Sequence, residues 1–314
     1  MEQNIMIAVE NIDVRVGGRF LKIARLLDEY YVTVKDPATF SPKLRDTGRR
    51  IDLFTFVQEL HERIPKYDYH YEFDSIAVLR LSTFDNWINK QITFKPRNKL
   101  RKALKSGVQT CVVDFSDELL HGIMDIYNET PIRQGKRNWH FGKDFETLKR
   151  EHATFLDCSQ FIGAYFEDEL IGFAKVTHSK SHSIIMNIVA KVRHRDKAPT
   201  NALLAKTIEL VTDRNIPLLK YGVWGGRGLN DFKTANAFEC FSVPRYYIPL
   251  TLSGRLALRL KLHHGLKERL PSSWIGKATD LRTKWNELKY GKTTAEAVSE
   301  GSVINGRVSA ETEA

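Results

Sequence analysis

Residues 128–144, NETPIRQGKRNWHFGKD, crowd hydrogen-bonding side chains into a stretch with neither helical nor strand periodicity. Arg133 and Arg137 offer planar guanidinium forks that match a carboxylate or phosphate, and Trp139 offers a ring on which a substrate can stack. Glu129 and His140 are the groups here able to take up a proton, and the ordinary imidazole pKa suits a base better. The competing reading is an ordered surface loop anchored by Trp139. We favour a binding role, because binding residues concentrate on loops carried by a rigid scaffold.

A second chemical cluster is the run Arg193-His194-Arg195-Asp196-Lys197-Ala198-Pro199-Thr200-Asn201. It follows a strand-like segment and precedes a helix whose first turn can hold Pro199. Cations, backbone N–H groups, a hydroxyl and an amide at a helix N-terminus favour bound phosphate. Arg193, Arg195, Lys197, Thr200 and Asn201 are therefore the candidate ligands of a phosphate-bearing molecule, with a solvated, capped turn as the plain alternative. Tyr246 and Tyr247 lie on a strand whose alternation sends one to each face, so only one can reach a crevice; Tyr246 is the candidate acid, and the favoured reading is an aromatic core residue with a surface neighbour. No metal site is expected. His178 and His182 are four apart on a hairpin rather than a helix, and Cys111, Cys158 and Cys240 are scattered. The glycine-rich run 222–228 lacks the Lys-Ser/Thr of a P-loop and the spacing of a dinucleotide fingerprint.

The elements that must carry these clusters follow from periodicity. Residues 1–74 read as a β/α extension, with strands at Ile5–Val9, 20–27 and 51–57, a helix at Pro37–Asp46 and a connector at 65–71. From residue 75 the order is a strand at 75–81, two helical segments over 85–106 kinked at Pro96, and a strand at 108–113. A helix ending near Tyr127, the 128–144 loop, a helix at 145–155 and a three-strand meander at 161–166, 170–178 and 183–192 follow. The helix from Pro199, a strand at 218–221, a helix at 229–237 and a strand at 239–250 complete the order.

The chain has 314 residues with a formal charge of +10, and its 42% hydrophobic and 11% aromatic content excludes a disordered protein. The charge implies anionic partners and is uneven: residues 255–289 carry nine Lys or Arg against three acids. Leucines alternate with cations there, as in a basic amphipathic helix able to lie on an anionic bilayer, with plain packing on the domain as the alternative. The tail 291–314 reads as disordered. No apolar run is long enough to cross a membrane, so the expected location is cytoplasmic, or peripheral to the inner membrane through 255–289.

The segments 97–103, 105–108, 161–165, 169–173, 197–204, 232–233 and 237–239, in this order and spacing, resemble the GNAT acyltransferase superfamily, more closely its FemAB-like branch. The resemblance covers roughly residues 75–250. It implies an α/β (α+β) fold with a mixed central sheet flanked by helices, in which 75–253 form the acyltransferase domain. Residues 1–74 then form an N-terminal extension that resembles part of a second GNAT-like half. It also implies acyl transfer from acyl-CoA, as donor and without a metal, to an amine or hydroxyl of a small-molecule or cell-envelope-related acceptor. The donor pyrophosphate would sit on 193–201, and Glu129, Arg133, Arg137, Trp139 and His140 would shape the acceptor side. Ala198 and Thr200 stand where the superfamily carries glycines, and Phe232 stands where a tyrosine often serves as acid. The alternatives are an aminoacyl-tRNA-dependent transferase, the one case with a nucleic-acid partner, and a noncatalytic binding module on the same fold.

Overall fold

The computed structural model describes residues 5–264, except 28, 30, 31, 33, 61, 63, 134, 135 and 226. In chain order the elements are β1 (Ile5–Val9), β2 (Ile12–Gly17), β3 (Ile23–Leu26), α1 (Pro37–Asp46), β4 (Leu53–Val57) and β5 (His70–Arg80). Next come α2 (Phe84–Asn86), a π-turn (Trp87–Gln91), α3 (Phe94–Lys105), β6 (Gln109–Val113), α4 (Asp117–Asn128), β7 (Ile132–Arg133) and β8 (Lys136–Arg137). They continue with α5 (Phe145–His152), β9 (Ser159–Phe166), β10 (Glu169–His178), β11 (Ser183–Ala190) and a 3-10 turn (Val192–Lys197). The last are α6 (Pro199–Asp213), β12 (Leu218–Val223), α7 (Arg227–Ala235), β13 (Glu239–Pro249), α8 (Leu252–Arg259) and a 3-10 turn (Leu262–His264). Two compact units interleave along the chain. The first gathers Met1–Lys99, Val176–Met186 and Thr207–Leu266; the second holds Leu100–Lys175 and Asn187–Lys206.

The first unit is built on a mixed sheet in the order β1-β2-β3-β4-β13-β5-β12. β3 and β4 are parallel, whereas β13 runs antiparallel to both β4 and β5. At the far side β11 pairs with β12 in parallel, through Ser183 opposite Leu219 and Ile184 opposite Lys220. Glu10 and Asn11, with φ of 51° and 63°, close the two-residue turn between β1 and β2, a twist that matches the strands. Helix α1 begins where it does because the Asp36 carboxylate accepts from the Ala38 and Thr39 N–H groups and Pro37 needs no donor there. Its Phe40 and Leu44 turn inward to a core containing Phe54, Phe56 and Tyr246.

Asp52 ties the C-terminal end of β13 and the start of α8 to this sheet. Its carboxylate accepts from Lys22 N–H at 2.9 Å and from the Thr251 hydroxyl at 2.8 Å, while its carbonyl accepts from Leu250 N–H. Gly254 then packs so close that a Cβ there would lie 2.0 Å from the Asp52 carbonyl oxygen. The helical break after residue 85 is not at Pro96. It falls at Ile92, whose extended backbone ends the π-turn while Thr93 N–H bonds the Ala235 carbonyl. Pro96 sits in the first turn of α3, where a missing N–H costs nothing.

In the second unit β6 pairs antiparallel with β9, and β9, β10 and β11 follow as neighbours. Ser116 and Asp144 cap α4 and α5 through bonds to Leu119 N–H at 3.2 Å and Thr147 N–H at 2.8 Å. Leu120, Ile123, Ile126 and Tyr127 of α4 meet Leu148, Phe161 and Phe173 in its core. Gly172 lets α6 approach β10: a Cβ there would meet Leu203 at 3.1 Å and the Val189 carbonyl at 3.2 Å. The loop expected at 128–144 contains the β7–β8 hairpin, with Ile132 opposite Arg137. The basic segment 255–289 begins within α8; most of it, and the tail 291–314, lies outside the described residues.

Candidate functional site

The turn Val192–Lys197 links the end of β11 to the N-terminus of α6, a fifteen-residue helix with no acid in its first turn. Ala198 joins them at φ 55°, the left-handed conformation that glycine adopts most readily, and its N–H closes the turn on the Arg195 carbonyl at 3.2 Å. The position thus keeps a glycine-like backbone while carrying a methyl group. Thr200 and Asn201 lie in the first turn of α6, where the helix dipole is positive.

Glu129 and Arg133 hold this turn in place. The Glu129 carboxylate, at the C-terminal cap of α4, accepts from Val192 N–H at 2.5 Å and Arg193 N–H at 2.9 Å. Arg133 donates to the Ala190 carbonyl at 2.9 Å, the Ile126 carbonyl at 2.8 Å and Glu129 at 3.4 Å. Both residues are half-buried with their polar atoms turned to the protein, so they act as positioning residues for the turn. The Arg133 guanidinium meets carbonyls at the ends of α4 and β11, which a cation at a helix C-terminus suits.

Glu169 sorts the cations. Its carboxylate pairs with Lys191 at 2.5 Å, with Arg193 and with His194 at 3.1 Å. Partial burial pushes this carboxyl up, but the hydrogen bonds from Lys191 and His194 and the charges of Lys191 and Arg193 outweigh it and hold the group at about 2. Arg195 is exposed and outside that cluster. Lys197 rests with Nζ 4.6 Å from the Phe166 ring centre and 3.5 Å from Asp196. Arg195 is therefore the cation most open to an anion here, whereas Lys197 is half-buried and already paired with Asp196.

A second group surrounds Tyr127. Asn138 donates to the Tyr127 carbonyl at 2.8 Å and the Thr130 carbonyl at 3.1 Å, and its own side-chain oxygen accepts from His140 N–H. That fixes the His140 ring in a stack on Tyr127, with centres 4.0 Å apart. Burial, then the nearby Lys143 charge, lowers the His140 imidazole to about 4, so it is neutral at neutral pH; its Nδ1 is buried with no hydrogen-bond partner among the described residues. Trp139 is 70% exposed, lies against His140 at 4.4 Å and carries Lys143 Nζ 3.7 Å above its ring. Arg137 is exposed on β8.

Tyr246 belongs to the core of the first unit. It is fully buried, donates to Gln58 Oε1 at 2.7 Å and accepts from Lys66 N–H at 2.7 Å. Its hydroxyl is committed to fixing the loop that leads into β5.

Glu169, Asn138 and Tyr127 carry as much of this geometry as the residues singled out from sequence. One of them had a readable signal. A hairpin closing at 179–181 sets residue 169 opposite 191–192, an acid facing the cations that begin the turn. The Lys191 N–H to Ile171 carbonyl bond at 2.7 Å is consistent with that register.

FemX has a solved structure that superposes on this chain with a TM-score of 0.56 and 10% identity, covering 83% of this chain and 90% of FemX. The fold is GNAT-like. L-PGS from Bacillus licheniformis is similar to this chain at a TM-score of 0.51 and 14% identity, over 82% of this chain and 88% of its own. A C-terminal domain from Agrobacterium fabrum, ascribed to a lysylphosphatidylglycerol synthetase, gives the same score and identity over 82% and 87%. No protein-family model and no curated protein matches the sequence.

Proposed function

We propose that this protein is an acyltransferase that takes an acyl group from a phosphate-bearing donor, acyl-CoA, and passes it to an amine or hydroxyl of a small-molecule or cell-envelope-related acceptor. One observation carries the reading. The turn after β11 delivers Arg195 and Lys197, outside the Glu169 cluster, to the acid-free N-terminus of α6. Arg195, Lys197, Thr200 and Asn201 hold the donor phosphates, with Arg193 shared between them and Glu169. Glu129 and Arg133 position the turn.

Trp139, His140 and Arg137 form the acceptor side in this reading. A neutral His140 is free to accept a proton, although an imidazole held near 4 is a weak base. Rate enhancement therefore comes mainly from orientation and from N–H groups facing the developing oxyanion. Saturating acyl-CoA should raise the thermal midpoint, and Arg195→Ala should weaken binding at least about tenfold, as loss of a charge-assisted contact does. An unchanged midpoint across a panel of acyl-CoAs, with no acyl-CoA retained in native mass spectrometry, rejects the donor assignment.

The similarity to FemX and to L-PGS supports a second reading, an aminoacyl-tRNA donor. It requires tRNA binding that weakens steeply with salt. A peripheral membrane position is the corresponding proposal for the C-terminal region. Leu252, Leu256 and Leu260 are exposed at four-residue spacing beside Arg255 and Arg259. Flotation with anionic but not zwitterionic vesicles would bear it out.

A further inference from the structure

His70 and Glu72 are two residues apart on β5, so their side chains leave the same face of the strand. The chain returns to that face after α8, where the turn Leu262–His264 brings up His263 and His264. The Nε2 atoms of His263 and His264 lie 3.0 and 2.9 Å from the same oxygen, Glu72 Oε1, and His70 Nε2 lies 3.7 Å from it. The ligand atoms of His70, Glu72 and His263 all fall within 4.8 Å of one another. Three imidazoles therefore converge on one carboxylate from two segments about 190 residues apart in sequence.

The spacing suits a metal. Nitrogen and oxygen ligands about 2.0–2.1 Å from a zinc ion sit at the corners of a tetrahedron whose edges are about 3.3 Å. The distances to the Glu72 oxygen straddle that edge, so a small movement of side chains would close the shell. The walls suit it as well. The side chain of His263 is fully buried and meets the Tyr247 ring at 4.6 Å between centres, while His70 is nearly half exposed and leaves a path from solvent. Imidazole-rich donor sets select zinc and its neighbours over magnesium or calcium.

We propose that His70, Glu72 and His263 form a zinc site, with His264, bonded to the same Glu72 oxygen, turned in as the fourth ligand, that fastens the turn after α8 to strand β5. This site is built wholly from residues of the first unit and does not depend on the transferase reading. It also reverses the expectation of no metal, which rested on His178, His182 and the cysteines. Those two histidines are engaged within their own hairpin, His178 with Ser183 at 2.8 Å and His182 with Ser181 at 2.9 Å.

The test uses the full-length protein, freed of any affinity tag, stripped with a chelator and titrated with zinc chloride by calorimetry. One ion per chain is expected, with a Kd below about 1 µM, and cobalt(II) in its place should give the intense visible bands of tetrahedral coordination. His70→Ala and His264→Ala, both at partly exposed positions, should each raise Kd at least about tenfold with unchanged circular dichroism, while His178→Ala should not. Absence of one-to-one binding, an octahedral cobalt spectrum, or undiminished affinity in the His70→Ala/His264→Ala double variant would each overturn the proposal.

Discussion

Replacing Glu169 with glutamine keeps the shape of the side chain and removes the charge that gathers Lys191, Arg193 and His194. The carboxyl is held at about 2 against an ordinary 4.5, a difference that converts to about 3 kcal/mol at 1.36 kcal/mol per unit. The side chain is one-third exposed, so solvent screening cuts this to about 1.5 kcal/mol. The sign follows from proton counting. Between pH 5 and pH 2 the unfolded chain binds the proton that the folded chain refuses, so the stabilisation is complete above about 4.5 and is lost as pH falls through 2. Glu169→Gln should therefore lower stability by about 1.5 kcal/mol at pH 7. By pH 3 the gap between variant and parent should have shrunk by more than half. Urea unfolding followed by circular dichroism at pH 7, 5, 4 and 3 reads this directly. The same substitution releases Lys191 and Arg193 from their acid, so affinity for inorganic pyrophosphate should rise. A stability gap that stays constant from pH 7 to pH 3 would refute the reasoning, because the ion cluster would then contribute nothing that titrates with Glu169.

Tyr246→Phe should cost about 1–2 kcal/mol in urea unfolding, since the hydroxyl links Gln58 to Lys66 in a buried setting, yet leave transfer activity intact; collapse of turnover in a stable variant would make it an acid after all. Gly254→Ala should destabilise by about 3 kcal/mol, because the new methyl meets backbone rather than a yielding side chain; a midpoint unchanged in urea would contradict that packing. Lys220 is held at about 7, chiefly by burial, with Glu29 and Asp74 pulling it up and Arg245 pushing it down. The unfolded chain thus binds the extra proton between pH 7 and 10.5, and stability should rise with pH across that window. Lys220→Met should flatten this rise, as followed by thermal unfolding in buffers from pH 7 to 10.

Elements with local signals were readable in the sequence. Helix α1 was legible to the residue because Asp36 and Pro37 announce its start, and β1 was legible from its apolar run. The π-turn at Trp87–Gln91 was not, since its end depends on Thr93 bonding Ala235 far along the chain. The candidate site divides in the same way. The phosphate turn is contiguous, so its residue types showed themselves. Arg133 looked like a ligand clamp, but its partners are carbonyls of Ile126 and Ala190, set by the fold rather than by neighbours in sequence. The cluster at Glu72 escaped notice because His263 and His264 sit within a leucine-and-cation pattern that reads as amphipathic.

The pairing of β4 with β13 has a consequence for how the chain is made. Phe54 and Phe56 are covered by a strand that leaves the ribosome about 190 residues later. At a synthesis rate of roughly 5–20 residues per second, β4 waits some 10–40 seconds for its partner. All five of its residues are buried in the finished protein, and until β13 arrives they form an apolar strand with an unpaired edge. Residues 1–60 are accordingly the stretch on which nascent-chain chaperones should be found, and slow codons before residue 239 should lower the soluble yield without changing the protein that results.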